Sequence, residues 1–344
     1  MSGASATVAE GAARRTRLRG PFAWALAGAA LFAAVFAALA VGRFPIAPTE
    51  LPAILLGRAE GPAAAVFWNI RLPRVFAAML VGAALAGAGA AFQGMFRNPL
   101  ASPDLLGVSA GASLGAVFGI LFGLPVAAVQ GLAFAGSLAA VAAVALLARL
   151  VRGQGDPALV LVLAGVALGA LMGAAISLLK VLADPYNQLP AITFWLLGTL
   201  SAATRGDIAA AAAPALAGLL LLGLLRWRLN LLTLGEDEAR ALGANTAALR
   251  AAAIAGATLA TASVTALAGA VGWIGLVVPH AARLLGGPDL RRLLPLSMLL
   301  GAAFLLAVDT LARSAGRLEV PLGVLTAALG TPLFLWLLAR AGRA

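Results

Sequence analysis

The sequence feature that most constrains the fold is an apolar run bounded by arginines, which starts after Arg74 and ends before Arg97. About 20 such residues form a helix long enough to cross the hydrocarbon core of a bilayer. Small residues recur along the run, such as Gly82, Ala86 and Gly89, and they let a neighbouring helix approach closely. The run therefore predicts a membrane-spanning helix with arginines at both water interfaces.

Composition extends this prediction to the whole chain of 344 residues. Hydrophobic residues make up 62% of it, charged residues 11%, and its mean hydropathy is +1.01, values typical of a protein with many membrane helices. The formal charge of +11 does not indicate a nucleic-acid partner, because the arginines are scattered between apolar runs. Since the sequence has no cysteine, disulfides and thiolate metal sites are excluded.

Ten apolar runs predict ten membrane helices in an all-α integral membrane protein. They cover residues 22–42, 75–92, 105–123, 126–148, 158–180, 209–225, 247–270, 272–286, 293–311 and 321–339. The first run is longer than the roughly 7–15 apolar residues of a signal peptide, so it predicts a retained helix. We expect a cytoplasmic tail at 1–20 and a single ten-helix transmembrane domain at 21–342.

The distribution of basic residues predicts the orientation. With the N-terminus inside, most of the 24 basic residues fall in segments that face the cytoplasm, as the positive-inside rule requires. An even number of helices then leaves both termini in the cytoplasm. Two longer polar segments interrupt the apolar pattern, residues 43–74 outside and residues 226–250 inside, and each is too short for a separate domain.

The inner polar segment predicts a short helix within residues 234–245. Glu236 and Arg240 are four residues apart, a spacing that stabilises a helix, and Gly235 and Gly243 are suitable ends for it. An exposed amphipathic helix of this kind serves to dock a partner protein. A solvated connector is the alternative interpretation.

The sequence lacks the residues of a catalytic centre. It has no Gly-x-x-x-x-Gly-Lys-Ser/Thr loop, and its one lysine, Lys180, ends an apolar run, so any ATP must be hydrolysed by another subunit. Its one histidine, His280, has no nearby Cys, Asp or Glu for a metal site. A structural role is favoured for His280, with Pro279 freeing a carbonyl for it to cap or opening a cavity for it to line. We therefore predict no catalytic residue, metal or cofactor in this chain.

Asp309 is an acidic residue within an apolar run. Arg313 follows one helical turn later and is its predicted partner. A charge inside a membrane segment is often functional, yet this spacing favours structural neutralisation over a proton relay. Glu319, just before Pro321, predicts the start of a helix at an interface.

Several short motifs follow one another along the chain. They are Arg71-Leu-Pro-Arg74, Gln93, Arg97-Asn-Pro-Leu-Ala-Ser-Pro103, Leu106-Gly-Val, Leu163-Ala-Gly-Val-Ala-Leu-Gly169, Phe194-Trp-Leu-Leu-Gly198, Ile274-Gly-Leu-Val-Val-Pro-His280 and Val320-Pro-Leu-Gly-Val-Leu-Thr326. Through them the chain resembles the FecCD/BtuC family, the permease subunits of type II ABC importers, over about residues 20–342.

The resemblance implies an assembly in the bacterial inner (plasma) membrane. Its expected members are a second permease subunit, most simply in a homodimer, two cytoplasmic ABC ATPase subunits that carry ATP and Mg²⁺, and a periplasmic or lipid-anchored substrate-binding protein. Membrane lipid surrounds the permease. The implied function is import of a metal chelate by alternating access, most plausibly an iron(III)–siderophore, with haem, cobalamin and molybdate as open alternatives.

The resemblance also implies roles for particular residues. Arg71, Arg74 and Arg313 would dock the binding protein. The ATPase-coupling segment would comprise Leu234, Gly235, Glu236, Asp237, Glu238, Ala239, Arg240, Leu242 and Gly243. The cytoplasmic gate would comprise Asn98, Leu100 and Asp156. One face of the fifth span would line the pathway through Gly165, Gly169, Gly173 and Ser177, although helix packing through the same glycines is an equal alternative.

A secondary transporter that works without ATP is a hypothesis from a different class. Such a protein needs titratable or ion-coordinating residues near the middle of broken membrane helices. Asp309 is the only plausible candidate in this sequence, and it lies close to an interface. We therefore rank this hypothesis well below the importer.

Overall fold

The computed structural model describes residues 3–44, 46–151, 157–316 and 318–341. These residues form helices joined by short loops, and no strand occurs among them. In chain order the helices are α1 (Gly3–Ala40), α2 (Leu51–Leu55), α3 (Pro62–Val66), α4 (Leu72–Met95), α5 (Val108–Leu121), α6 (Val126–Leu150), α7 (Pro157–Leu182), α8 (Gln188–Leu197), α9 (Arg205–Thr233), α10 (Glu236–Ala241), α11 (Thr246–Ala268), α12 (Ile274–Gly286), α13 (Leu290–Ser314) and α14 (Leu322–Ala341).

The all-α membrane fold predicted from the sequence is confirmed. Seven described helices are long and apolar enough to cross a membrane: α1 from Gly20, α4 with the turns before it, α6, α7, α9, α11 and α13. The shorter apolar helices α5, α12 and α14 account for the remaining three predicted spans. A further apolar helix, α8, was not predicted as a span, and its ten residues are too few to cross a bilayer.

Polar side chains fix the beginnings of three long helices. Thr204 and Asp207 exchange hydrogen bonds in a capping box at the start of α9. The side chains of Asn245 and Asp289 accept backbone N–H bonds at the starts of α11 and α13. These contacts satisfy amide groups that a helix leaves unpaired in its first turn.

Helix α4 is the centre of the bundle and packs against α9, α11, α12 and α13. A Cβ atom on Gly82 would lie 2.1 Å from the carbonyl oxygen of Gly301, and one on Gly89 would lie 2.0 Å from that of Gly275. No side chain fits in either contact, so the close helix approach expected from the small residues of α4 is present. Most of α4 is consequently buried.

Helix α7, in contrast to α4, is hardly buried within its own subunit. Only 6% of its most apolar window is buried within the subunit, against 72% for the corresponding windows of α4 and α11. An apolar helix with little cover from its own chain needs lipid or another subunit around it.

Candidate functional site

An arginine lies between two carboxylates at the end of the bundle where α4 begins. Arg74 donates to both oxygens of Asp309 at 2.9–3.0 Å and to both oxygens of Glu319 at 3.0 Å. Asp309 is 1% exposed, whereas Glu319 is 27% exposed. Arg74 therefore connects α4 to α13 and to the segment that leads into α14 through charge-assisted hydrogen bonds.

The predicted pair of Asp309 and Arg313 is present, but Arg74 is the closer partner of Asp309. Arg313, the expected partner, approaches Asp309 only with Nε at 3.8 Å, while Arg74 makes the short bidentate contact. The reason is geometric, because the Arg74 guanidinium enters from a neighbouring helix and reaches both carboxylate oxygens at 2.9–3.0 Å. Glu319, predicted only to start a helix, is the second partner of Arg74.

The other two arginines cap the end of α1. Arg71 donates to the carbonyl oxygens of Leu39 and Phe44, and Arg313 donates to that of Ala38. The last carbonyl groups of a helix have no partner within it and carry partial negative charge, so a cation stabilises them. A Cβ on Gly42 would lie 2.9 Å from Arg71 Nη2 and 3.1 Å from Arg313 Nη1, which favours glycine at this position.

The structure thus brings the three predicted docking arginines together, but it also gives each of them partners inside the chain. Arg71 is 3% exposed and Arg313 8%. A cavity of about 190 Å³ opens beside all three and is also lined by Arg43 and Glu319. The docking role of these arginines stays a prediction.

The predicted coupling segment forms helix α10 between α9 and α11. Ala239 is fully buried and anchors the helix, whereas Leu242 is 64% exposed. The Glu238 carboxylate accepts the amide of Gly235 at the first turn, and Gly243 ends the helix with φ +79°, a conformation that glycine adopts without strain. A short exposed helix with an apolar side chain at its end can dock on a partner.

The predicted contact between Glu236 and Arg240 stays a prediction, because the Glu236 side chain lies outside the described part of the structure. The backbone of Glu236 begins α10. Asp237 lies 3.9 Å from the Arg240 guanidinium, and both side chains are largely exposed. A cavity of about 340 Å³ separates α10 from the end of α4 and is lined by Met95 and Leu234, among others.

The predicted gate lies in the turn after α4. Arg97 has φ +51°, and the Asn98 side chain accepts the amide of Leu100 at 2.9 Å. Asn98 and Leu100 are both exposed. Asp156, the third predicted gate residue, lies outside the described residues, so the gate stays a prediction.

The four predicted pathway residues of α7 differ in their surroundings. A Cβ on Gly165 would lie 1.9 Å from the carbonyl oxygen of Leu105, so Gly165 packs against the turn before α5. Gly169 and Gly173 have no such neighbour within 4 Å among the described residues of this subunit. Ser177 is exposed and donates back to the carbonyl of Gly173 at 2.9 Å. Packing explains the first glycine, and the other three residues face away from the described part of their own chain.

Sequence reasoning missed a polar connection between α4 and α12. Gln93 donates to the carbonyl oxygens of Gly275 and Leu276 and accepts from Arg283 Nη2 at 3.0 Å. The sequence feature that could have revealed this connection is a glutamine within an apolar helix, because buried amides in a membrane segment need partners.

His280 precedes Arg283 on α12. Neither of its ring nitrogens has a hydrogen-bond partner among the described residues. The side chain lines a cavity of about 670 Å³.

Comparison with known proteins identifies the family of the chain. The sequence model of the FecCD transport family matches residues 30–340. A Helicobacter pylori protein named "Probable iron chelatin transport system permease protein" is 42% identical over 279 residues, 80% of this chain and 82% of the relative. The Halobacterium salinarum "Cobalamin import system permease protein BtuC" is 42% identical over 273 residues, 78% of this chain and 72% of the relative.

A solved structure gives the same result at the level of the fold. It is described as "An inward-facing conformation of a putative metal-chelate type ABC transporter", is 34% identical in sequence and superposes with a TM-score of 0.83. The match covers 91% of this chain and 97% of the solved chain. The likeness therefore extends over nearly the whole helical bundle.

Proposed function

The chain belongs to the FecCD transport family, and on this premise we propose that it is the membrane-spanning permease subunit of a type II ABC importer for an iron(III)–siderophore. The observation that carries the proposal is the match of one family over residues 30–340, which include nearly all of the membrane helices. The permease class follows from the family. The siderophore is the more specific part of the proposal, and haem, cobalamin and molybdate are the alternative ligands.

The names of the relatives support transport of a metal chelate, but they do not identify which chelate. The names of two relatives refer to an iron chelatin and to cobalamin, although both are 42% identical to this chain. In such an assembly the binding protein selects the ligand. The open glycine face of α7, with Gly169 and Gly173, suits passage of a bulky ligand between two permease subunits because it holds few polar groups.

In the proposed cycle each conformational change is driven by a partner. ATP and Mg²⁺ would bind to the ATPase subunits, and closure of those subunits would move α10. Because α10 is anchored through the buried Ala239 between α9 and α11, its displacement would reach the membrane helices. A two-state permease biased in this way is the minimum that coupling requires.

Docking of the binding protein would occur at the opposite end, beside the cavity next to Arg71, Arg74 and Arg313. Together with Arg43, which lines the same cavity, these arginines outnumber the two local carboxylates, Asp309 and Glu319. A carboxylate of the binding protein would balance that excess. Charge pairs at such a rim contribute to the association rate and the orientation of the partner more than to affinity.

The arrangement of Asp309 argues against a secondary transporter. A proton relay needs a carboxylate that gains and loses a proton during transport, whereas Asp309 accepts several hydrogen bonds from Arg74. The pairing supports the structural role favoured by the sequence.

The experiment that tests the proposal is ligand-dependent ATPase activity of the complete complex. The permease, its ATPase subunits and its binding protein are reconstituted together, and iron–siderophore, haem, cobalamin and molybdate are offered in turn. We expect stimulation by iron–siderophore alone. Stimulation by another member of the panel would replace the proposed ligand, and hydrolysis that ignores the binding protein and all four ligands would contradict the importer assignment.

A further inference from the structure

An apolar groove of about 580 Å³ lies between α1, α4, α9 and α13. None of the described residues that line it carries a charge, and they include Trp24, Phe76, Met79, Leu216 and Met298. Phe76 and Leu216 are more than half exposed. Because all four helices are of membrane-spanning length, the groove opens toward the hydrocarbon of the bilayer.

Positive charge is concentrated at one end of this groove. Arg291 and Arg292 stand in the first turn of α13, and Arg226 and Arg228 stand near the end of α9, all exposed. None of the four forms an ion pair with a carboxylate in the described part of the chain. The Arg291 guanidinium lies 4.2 Å from the ring centroid of Trp227, so an aromatic side chain accompanies the basic group, as is common at membrane interfaces.

The basic end also reaches the other side of the groove. A Cβ on Gly20 would lie 3.6 Å from Arg292 Nη1, so the Arg292 guanidinium stands against α1, one turn before Trp24. Cationic groups are thus present on α9 and α13, and one of them contacts α1. Together these cationic groups give one end of the groove a positive charge that suits an anion.

The groove is long enough for an acyl chain. On α13, ten residues separate Arg292 from Ala302, which corresponds to about 15 Å of helix and about half of the 30 Å hydrocarbon core. On α9 the lining continues to Ile208, close to the opposite end of that helix. The groove is therefore longer than one leaflet, and an acyl chain whose headgroup lies at the arginines has room to extend along it to the middle of the membrane.

We propose that this groove binds a phospholipid with an anionic headgroup, with its phosphate beside Arg291 and Arg292 and one acyl chain against Trp24 and Met298. A zwitterionic lipid would leave the positive charge of the arginines uncompensated, so charge complementarity favours the anionic class. The assignment of this lipid to the cytoplasmic leaflet rests on the proposed function and its orientation; the binding itself does not.

The test uses Trp24 as a reporter in the full-length chain. The purified protein is placed in phosphatidylcholine nanodiscs that contain an increasing fraction of one brominated lipid, either phosphatidylglycerol or phosphatidylcholine. Bromine on the acyl chains quenches the fluorescence of nearby tryptophan side chains. The Trp24 signal is the difference between the wild type and Trp24→Phe. We expect brominated phosphatidylglycerol to quench this signal at a lower mole fraction than brominated phosphatidylcholine.

Two variants examine the headgroup and the groove separately. Arg292→Gln should raise the mole fraction of phosphatidylglycerol for half-maximal quenching about fivefold, because one arginine near an anionic surface contributes about 1 kcal/mol. Arg149→Gln removes an equal charge from the exposed end of α6 and should leave this mole fraction unchanged. Ala212→Phe fills the groove from α9 and should reduce quenching by both lipids.

Two results would overturn the lipid site. One is equal quenching by the two brominated lipids, which would indicate ordinary contact with bulk lipid. The other is an identical shift for Arg292→Gln and Arg149→Gln, which would indicate a general effect of surface charge. Since the assay uses no ATP, no chelate and no partner protein, its failure would leave the importer proposal standing, and failure of transport would leave the lipid site standing.

Discussion

Replacing Asp309 by alanine should lower the free energy of unfolding by about 3–5 kcal/mol, the usual cost of removing one partner from a buried ion pair. Asp309 is 1% exposed, and Arg74 and Arg313 lie around it. Without the carboxylate, two guanidinium groups remain largely buried, and Glu319 is the one carboxylate left beside them in the described part of the chain. Unfolding of the purified chain in detergent, followed by circular dichroism during denaturant titration, measures the loss.

Three controls separate this charge effect from a simple loss of volume. Asp309→Asn keeps an acceptor for Arg74 and should cost less than the alanine variant. Arg74→Met combined with Asp309→Leu removes both charges and should recover much of the stability. Asp237→Ala breaks a largely exposed pair in α10 and should have no measurable effect on stability.

An Asp309→Ala protein as stable as the wild type would refute the structural role of the pair. An Asp309→Asn protein with wild-type stability and no transport would revive the proton relay.

Replacing Leu242 by aspartate should weaken association of the permease with its ATPase subunits about tenfold or more. A leucine side chain contributes about 1.5–3 kcal/mol when it becomes buried, and about 1.4 kcal/mol corresponds to a tenfold change in affinity. Leu242 is 64% exposed at the end of α10, and burial of a carboxylate in its place adds a further cost. Binding of the purified subunits and ATP-driven uptake in proteoliposomes should both decline.

The matched control at this position is Leu242→Met, which keeps an apolar side chain of similar volume and should behave as the wild type. The thermal midpoint of both variants should stay close to that of the wild type, because the Leu242 side chain contributes little to the core. Wild-type uptake by Leu242→Asp would contradict the coupling role of α10.

The sequence predicted the membrane helices well because the signal for each is local. Each run of about 20 apolar residues must satisfy its own backbone groups in lipid, and a helix does this without help from distant residues. The ten predicted runs coincide with ten helices of the structure. Helix α8 was missed because ten apolar residues do not distinguish a short helix from a loop near the interface.

The side-chain partners were harder to predict because they are distant in sequence. Arg74 is 235 residues from Asp309 and 245 from Glu319, whereas the spacing rule available from sequence pairs Asp309 only with residues one turn away. That rule found Arg313, which is the longer contact at 3.8 Å. The same limit applies to Gly165, whose packing partner Leu105 lies on the turn before α5.

The most direct test of the importer assignment is the energy source for uptake. The permease is reconstituted in proteoliposomes with its ATPase subunits, the binding protein and radiolabelled iron–siderophore are added on one side, and ATP is supplied on the other. We expect uptake that requires ATP, the ATPase subunits and the binding protein, and that a protonophore does not abolish. Uptake by the permease chain alone, driven by an ion gradient in the absence of ATP, would contradict the assignment.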